Sequence, residues 1–463
     1  MKYYISIVFI LFGLDNILAQ TNEEIFSFKD FQEIIIKNHP VIKQSNLYLN
    51  AAQAEYLQAQ GLFDPKLSVI FDRKAFQGKD YYNRFETVLK VPLYSGIELK
   101  SGYERNAGLR LLGEESPSLL FGGITLPIGQ GLLIDARRNT LLQARLLDEI
   151  AEAERRKVVN KFIFSAAKDY WEWYISYKKL QLAQEAFRLA DTRFKLLSER
   201  SSIGELAAID SVEANITLQE RELAQKQAQL EFKNTGLILS NYLWNEEEKP
   251  LELPENLVPQ SSISELIDRK KIDDIQANLL QTHPELSKIT FKQQQLTIEE
   301  KFRKELLKPQ LNFNFNLINS PISSQKDAFA NTFLLNNHKF GFDFMMPVLL
   351  RKERGKLQSV RIKQKELNFE KITVQRELNT NIETIFNEIN NLGQQIQQQL
   401  SINLNQERLL EAEKNKFSMG ESTIFMLNTR ENKLIEMKLK LETLKAKYEK
   451  AKANLFYTAA VLN

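Results

Sequence analysis

The stretch FDPKL at residues 63–67 has a counterpart, LKPQL, at residues 307–311, and this repetition decides the fold. In each stretch a proline leads into a run with the alternation of a β-strand. The two prolines are 244 residues apart (309 − 65), and two His-Pro pairs, at His39 and His283, are separated by the same interval (283 − 39). Landmarks that recur in the same order indicate an internal duplication.

Two further landmarks extend the repeat. In each half an apolar strand ends in a proline before a long helix, at Pro127 and at Pro347. An isolated glycine then interrupts that helix, at Gly204 and at Gly420. Each half therefore predicts a helix, strands, a long helix, a turn and a second helix.

Heptad repeats predict that the long helices pack lengthwise as coiled coils, since apolar residues recur seven apart at Leu427, Leu434, Leu441, Tyr448 and Leu455. The first repeat, residues 21–262, is expected to contain a helix at about 29–62, β segments at about 65–128, a coiled-coil hairpin at about 132–243 and a Pro-rich crossover at 246–262. The second, residues 263–463, is expected to contain a helix at about 265–306, β segments at about 309–348 and a hairpin at about 352–460.

Composition excludes several classes of protein. The 62 Lys and Arg residues nearly balance the 59 Asp and Glu residues, which gives no support for nucleic-acid binding. The chain has no cysteine, which excludes disulfides, thiolate metal sites and a lipidated N-terminal Cys. Residues 1–20, with Lys2 and a short apolar core before Ala19, predict a cleaved signal peptide.

No catalytic or cofactor-binding constellation is recognisable. His39 and His283 precede prolines and are expected to cap helices rather than to bind metal. Trp171, Trp173 and Tyr174 have helical spacing and are expected to be packing residues. No glycine-rich phosphate loop and no nucleophile–base pair is present. We therefore predict no enzymatic activity, no cofactor and no metal.

The strands alternate aromatic and polar residues, and period-two alternation places the two sets on opposite faces of a sheet. A soluble, half-buried sheet would give the same pattern. Combined with a signal peptide and no apolar run long enough for a transmembrane helix, it favours a lipid-facing barrel with a polar lumen. The predicted lipid-facing residues are Phe313, Phe315, Phe340, Phe342 and Phe344, and the predicted lumen-facing residues are Asn312, Asn314, Asn316 and Asp343.

One chain offers about two strands per half, which is too few to close a barrel, because the smallest transmembrane barrels have eight strands. Open strand edges in lipid would leave backbone groups unpaired. The sequence therefore predicts an oligomer.

This duplicated order resembles the TolC-like outer-membrane efflux channel family over residues of about 25–460. The resemblance is carried by the proline-led strands, by LPIGQGLL at 126–133 and MPVLLR at 346–351, and by the two glycine turns. It implies a mostly α fold with a membrane β-barrel contribution. It also implies a homotrimer with a twelve-stranded barrel in outer-membrane lipid, continuing into a long α-helical periplasmic tunnel. Docking onto an inner-membrane pump through a periplasmic adaptor follows from the same resemblance.

The chain departs from the family pattern in two places. Residues 94–119 are an extra stretch, either an extracellular loop or an additional strand pair. The resemblance also implies polar contacts that close the periplasmic mouth near the two turns, with Asp210 and Phe417 at matching positions. Ser422 stands where a basic residue is expected, so Arg430 becomes the candidate partner of Asp210. Alternatively, Asp210 is a solvated carboxylate at a helix start.

The predicted adaptor-docking tip consists of Gly204, Glu205, Gly420 and Glu421. We interpret the chain as a passive outer-membrane exit duct of a tripartite efflux or type I secretion system, with a large periplasmic portion. The alternative is a periplasmic coiled-coil adaptor or a structural protein without a membrane barrel. The transported substrate is not predicted by the sequence.

Overall fold

The computed structural model describes residues 24–107, 118–205, 207–254, 256–260, 267–319 and 337–461. The predicted signal peptide lies outside these residues. None of the described helices combines the length and the apolar character needed to cross a bilayer.

The described elements follow the predicted order of helix, strands, long helix, turn and helix in both halves. The helices are α1 (Phe28–Asn38), α2 (Pro40–Gln60), α3 (Ala136–Ala144), α4 (Leu147–Ser202), α5 (Ala208–Ser240), α6 (Arg269–Thr282), α7 (Pro284–Glu305), α8 (Arg351–Ser418) and α9 (Ile424–Ala459). The strands are β1 (Glu24–Phe26), β2 (Lys66–Phe76), β3 (Lys79–Pro92), β4 (Glu98–Ala107), β5 (Leu119–Pro127), β6 (Leu257–Pro259), β7 (Gln310–Asn319) and β8 (His338–Met345).

The prediction of one continuous helix before the strands of each half was wrong. His39 separates α1 from α2, and His283 separates α6 from α7, with extended ψ angles of 133° and 123°. A residue that precedes proline is forced out of the helical region by the proline ring. His283 Nδ1 accepts the backbone N–H of Glu285 at 3.3 Å, so this side chain caps the second helix of its pair.

The chain divides into two compact units, and each contains segments from both halves of the sequence. The first unit comprises the described residues of Met1–Pro40, Ser165–Leu266 and Ile389–Ala453. The second comprises those of Val41–Phe164, Ile267–Glu388 and Asn454–Asn463. The boundary between the two sequence repeats, at residue 262, was placed from the repeated landmarks of the sequence, and it stays a prediction.

An aromatic core stabilises the first unit. Trp173 and Tyr170 of α4 are fully buried, and Tyr170 stacks on Phe31 of α1 with ring centroids 5.8 Å apart. The Tyr170 hydroxyl donates to the carbonyl of Phe26 at 2.7 Å, beside the parallel pair of β1 and β6. The predicted packing role of the tryptophan cluster is therefore confirmed.

The second unit contains an antiparallel six-stranded sheet with the order β2-β3-β4-β5-β7-β8. The extra stretch at 94–119 thus contributes an additional strand, β4, together with the start of β5, rather than only a loop. The sequence left this open because Ser and Gly pairs mark turns equally well within either arrangement. Three six-stranded copies would carry eighteen strands (3 × 6), whereas a barrel of twelve requires four strands from each.

The two buried histidines predict a loss of stability in mild acid. Burial lowers the pKa of both His39 and His283 below the ordinary value. In mild acid the unfolded chain binds protons that the folded chain excludes. The contribution of the two histidines to the free energy of unfolding is therefore complete above a pH of about 6.5 and is lost as the pH falls. We expect the melting temperature of wild type to fall further than that of H39Q/H283Q between about pH 7.5 and pH 5.5.

The control for this comparison is H338Q, which replaces an exposed histidine on β8. We expect it to retain the pH dependence of wild type. An equal fall of the melting temperature in wild type and in H39Q/H283Q would contradict the prediction.

Candidate functional site

The six-stranded sheet has one apolar face with many exposed side chains. The strand register places Phe313 opposite both Leu126 and Phe342, and the rings of Phe313 and Phe340 lie 5.0 Å apart. All five aromatic residues that the sequence singled out lie on this face. Its exposed members come from all strands but β7: Leu67, Val69, Phe71, Phe85, Leu89, Leu99, Leu120, Ile124, Phe340, Phe342 and Phe344.

The opposite face is polar, and the register brings the predicted asparagines and Asp343 together there. Asn314 Nδ2 donates to Asp343 Oδ2 at 2.8 Å, and Thr125 Oγ1 donates to Asn314 Oδ1 at 2.6 Å. A cavity of about 210 Å³ lies on this side and is touched by all six strands. Its lining is mostly polar (Ser68, Glu86, Lys90, Lys100, Glu104, Asn316 and Lys339), with Ile70, Val88, Phe121 and Ile318 between the polar residues.

Charged residues of both signs on β3 and β4 were not singled out as site residues from the sequence. They follow the same alternation as the asparagines, so Lys90 lies opposite Lys100, and Glu86 lies opposite Glu104. The polar face therefore extends across strands of both sequence halves.

The apolar face of the same sheet is contiguous and exposed. Such a face is uncommon in soluble monomers and marks a contact with lipid or protein.

The two glycine turns in the first unit have the same backbone geometry. Gly204 and Gly420 have φ angles of 79° and 78°, in the left-handed region that glycine adopts without steric cost. After Gly204, the N–H of Glu205 bonds the carbonyl of Arg200 at 3.0 Å, and the N–H of Glu421 makes the equivalent bond to Lys416 at 2.9 Å. These bonds form a Schellman motif, which ends each long helix.

Each turn also exposes two large apolar side chains at equivalent positions. Ile203 and Met419 stand one residue before the glycine, and Ile209 and Phe425 stand five residues after it. All four are more than 60% exposed. The space beyond both glycines is open for at least 4 Å.

The predicted gate residues have these surroundings in the structure. Phe417 packs against two buried clusters that contain Ile424 and Leu427. Arg430 lies 3.7 Å from Glu413, which also accepts a hydrogen bond from Ser422 at 2.5 Å. Asp210 lies in the first turn of α5. The pairing of Arg430 with Asp210 stays a prediction.

A polar network near the turns was missed from the sequence. Arg193 of α4 donates to Asn428 at 2.9 Å and forms a bidentate ion pair with Glu431, both on α9. Asn428 in turn donates to Thr217 of α5 at 3.0 Å. The network therefore joins three helices of the first unit. Its partners are more than 200 residues apart in sequence, so no local spacing could have indicated it.

A second, partly buried arginine lies beside this network. Arg221 of α5 hydrogen bonds Asn432, and burial lowers the pKa of its guanidinium, against the smaller opposing effect of Glu431. Among the described residues, no cluster of three or more His, Asp or Glu side chains is arranged to bind a metal ion.

Several solved structures share this fold. The outer membrane channel CmeC of Campylobacter jejuni is 12% identical, with a TM-score of 0.64 over 94% of this chain and 85% of that one. CusC, whose structures describe transmembrane channel formation, is 14% identical, with a TM-score of 0.66 over 93% and 91%. The outer membrane protein VceC of Vibrio cholerae is 13% identical, with a TM-score of 0.62 over 94% and 96%. No family model and no curated protein sequence matches the chain. At these identities the likeness establishes the fold.

Proposed function

We propose that this chain, which has the fold of the TolC-like outer-membrane channels, is the exit duct of a tripartite efflux or type I secretion system. The observation that supports this most directly is the two-faced sheet. Exposed aromatic and aliphatic side chains cover one face, while most of the residues that line the other are polar or charged. Strands can span lipid only as a closed barrel, because every backbone polar group must be paired. The polar face then lines a water-filled lumen through which substrate passes without chemical change.

The working form in this proposal is a homotrimer. One chain leaves the outer edges of β2 and β8 without a strand neighbour in the described sheet. A heptad series on α5 is likewise more than half exposed: Ile209, Ile216, Leu223, Leu230 and Leu237. Such a seam is typical of a helix that packs lengthwise against another helix. We assign the covering helices to neighbouring copies.

The sheet would lie in outer-membrane lipid and the long helices in the periplasm, where the exported chain is delivered by its predicted signal peptide. A passive duct requires an energy source elsewhere, which we assign to an inner-membrane pump reached through a periplasmic adaptor. The proposed adaptor site is formed by the two turns, with Gly204, Glu205, Gly420 and Glu421 at its centre. The exposed apolar pairs beside the glycines give an adaptor a surface to bury.

Bilayer conductance tests the channel proposal. The oligomer purified in detergent should add discrete conductance steps to a planar bilayer, and its gel mobility should shift on heating. If the protein is instead released from the periplasm without detergent and runs as a monomer, the periplasmic adaptor or structural alternative is correct. The same fractionation therefore separates the two functions before any conductance is recorded.

The docking site can be tested apart from conduction. In I203S/M419S, we expect cross-linking to the adaptor to be lost, because both turns lose an exposed apolar side chain. The matched control is I203L/M419L, which keeps the apolar surface and should keep the cross-link. Conductance without adaptor should be the same in both variants. Retained cross-linking in the serine variant would place the docking surface elsewhere.

A further inference from the structure

We infer that three copies close the membrane-spanning sheet as a cylinder of eighteen strands, in which β2 of one copy pairs with β8 of the next. This inference rests on the proposed trimeric channel. It differs from the count of twelve that the sequence resemblance implies. Three observations carry it: the continuity of the sheet, the direction of its two edges, and the match of their faces.

The additional strands belong to the wall of the sheet. β3 pairs with β2 from Lys79 to Lys90 and with β4 from Asn83 to Pro92, so the stretch from Asn83 to Lys90 has a strand neighbour on both sides. Both faces also continue across these strands. Leu89 lies between Leu67 and Ser101 on the apolar face, while Lys90 lies between Lys66 and Lys100 on the polar face. A hairpin outside the wall would not separate lipid from lumen, so its strands would not need to continue the apolar and polar faces of the sheet.

The edges β2 and β8 have opposite directions relative to the helices. β2 begins six residues after α2 ends, and β8 ends six residues before α8 begins. In a ring of copies related by rotation, β2 therefore meets the neighbouring β8 antiparallel. An even number of strands in each copy preserves this pattern at every junction. Pairing there satisfies the backbone groups that an edge would leave unpaired in lipid.

The side chains of the two edges also match by face. Leu67, Val69 and Phe71 would continue the apolar face beside Phe340, Phe342 and Phe344. Both edge strands also contribute residues to the polar face, since Ser68 of β2 and Lys339 of β8 line the same cavity. The sheet is thus curled with its polar face concave, as a lumen wall requires.

The strand count sets the width of the pore at the membrane. With a strand spacing of about 4.8 Å and a tilt of about 40°, eighteen strands give a backbone diameter of roughly 36 Å, and twelve give roughly 24 Å. Barrels of sixteen to eighteen strands leave an open aqueous channel. The strands of this protein would therefore admit cargo wider than a twelve-stranded barrel can pass.

Disulfide cross-linking between copies tests the inference, and the natural chain has no cysteine to interfere. One series combines L67C on β2 with a single cysteine replacing His338, Phe340, Phe342 or Phe344 on β8. A matched series combines S101C on β4 with the same β8 positions. Leu67 and Ser101 flank Leu89 at the same height on the apolar face. Oxidation is followed by a denaturing gel, after each variant is shown to form the heat-modifiable oligomer.

We expect a covalent trimer at one or two β8 positions in the L67C series and none in the S101C series. In the eighteen-stranded cylinder, Ser101 is three strand spacings, about 14 Å, from the neighbouring β8. Disulfides require Cα atoms within about 7 Å.

Each other result overturns the inference. A covalent trimer in the S101C series alone means that β2 and β3 lie outside a twelve-stranded barrel, and the channel proposal stands. A covalent dimer as the largest species in the L67C series means twelve strands from two copies. A disulfide within one chain, or no disulfide in an intact oligomer, rejects the β2–β8 junction between copies. Absence of any oligomer before oxidation rejects the channel proposal itself.

Discussion

Replacing Arg193 by methionine is expected to destabilise the first unit by about 3–5 kcal/mol, the usual cost of removing one partner from a buried ion pair. The side chains of Arg193 and Glu431 are only 15% and 11% exposed. Methionine fills most of the arginine volume but removes both hydrogen bonds that the guanidinium donates to the Glu431 carboxylate. It also removes the donor to Asn428, which links the pair to Thr217 on α5.

The matched control is K195M on the same helix. Lys195 pairs with Asp191 in an exposed i,i+4 arrangement, with the lysine side chain 73% exposed. Such pairs contribute about 0.3–0.5 kcal/mol. Hydrogen exchange of α4, α5 and α9, together with the melting temperature, measures both variants. Equal effects of R193M and K195M would show that the buried network is not a stabilising contact.

The same variant bears on opening of the proposed channel. The network joins α4, α5 and α9 close to the two glycine turns, where repacking of coiled coils would widen the mouth. If the mouth is a two-state element, weakening a contact present in the closed state shifts the population towards the open state. R193M should then increase the time spent in the larger conductance level, whereas K195M should not.

The fold was predictable because its strongest signals are local and occur twice. The alternation of LNFNFNL at 311–317 fixes one apolar and one polar face, and the register of β7 and β8 follows it. The heptads on the final helix likewise specify a buried seam, and Leu427, Leu434, Leu441, Tyr448 and Leu455 are all buried. Periodicity of this kind depends only on neighbouring residues, so it can be recognised in one sequence.

The features that escaped prediction depend on distant contacts or on ambiguous turns. Arg193 and Glu431 form an ion pair between two helices although they are 238 residues apart in sequence. A single charged residue on a coiled-coil helix is usually solvated, so neither residue stands out by itself. The strand β4 carries only a weak alternation, because Ser101 and Gly102 interrupt it. Pro40 and Pro284 were recognised as landmarks, but their effect on the preceding histidine splits a helix that the apolar pattern alone would continue.

Replacing Phe342 by arginine is expected to prevent assembly of the sheet in the membrane. Phe342 lies in the middle of β8 on the apolar face, is 58% exposed, and stands opposite Phe313. A lipid-facing arginine near the bilayer midplane costs about 2–4 kcal/mol in each copy. In the proposed trimer this cost arises three times, so we expect the heat-modifiable oligomer to disappear from the outer-membrane fraction.

The adjacent residue supplies the control, because a strand turns successive side chains to opposite faces. D343R changes the charge by two units but places the arginine on the polar face, where Lys339 of the same strand already lines the cavity. It loses the hydrogen bond from Asn314, worth about 1 kcal/mol. We expect D343R to assemble and F342R to fail. If both assemble, the aromatic face does not contact lipid. If D343R fails and F342R assembles, the two faces of the sheet have been assigned in reverse.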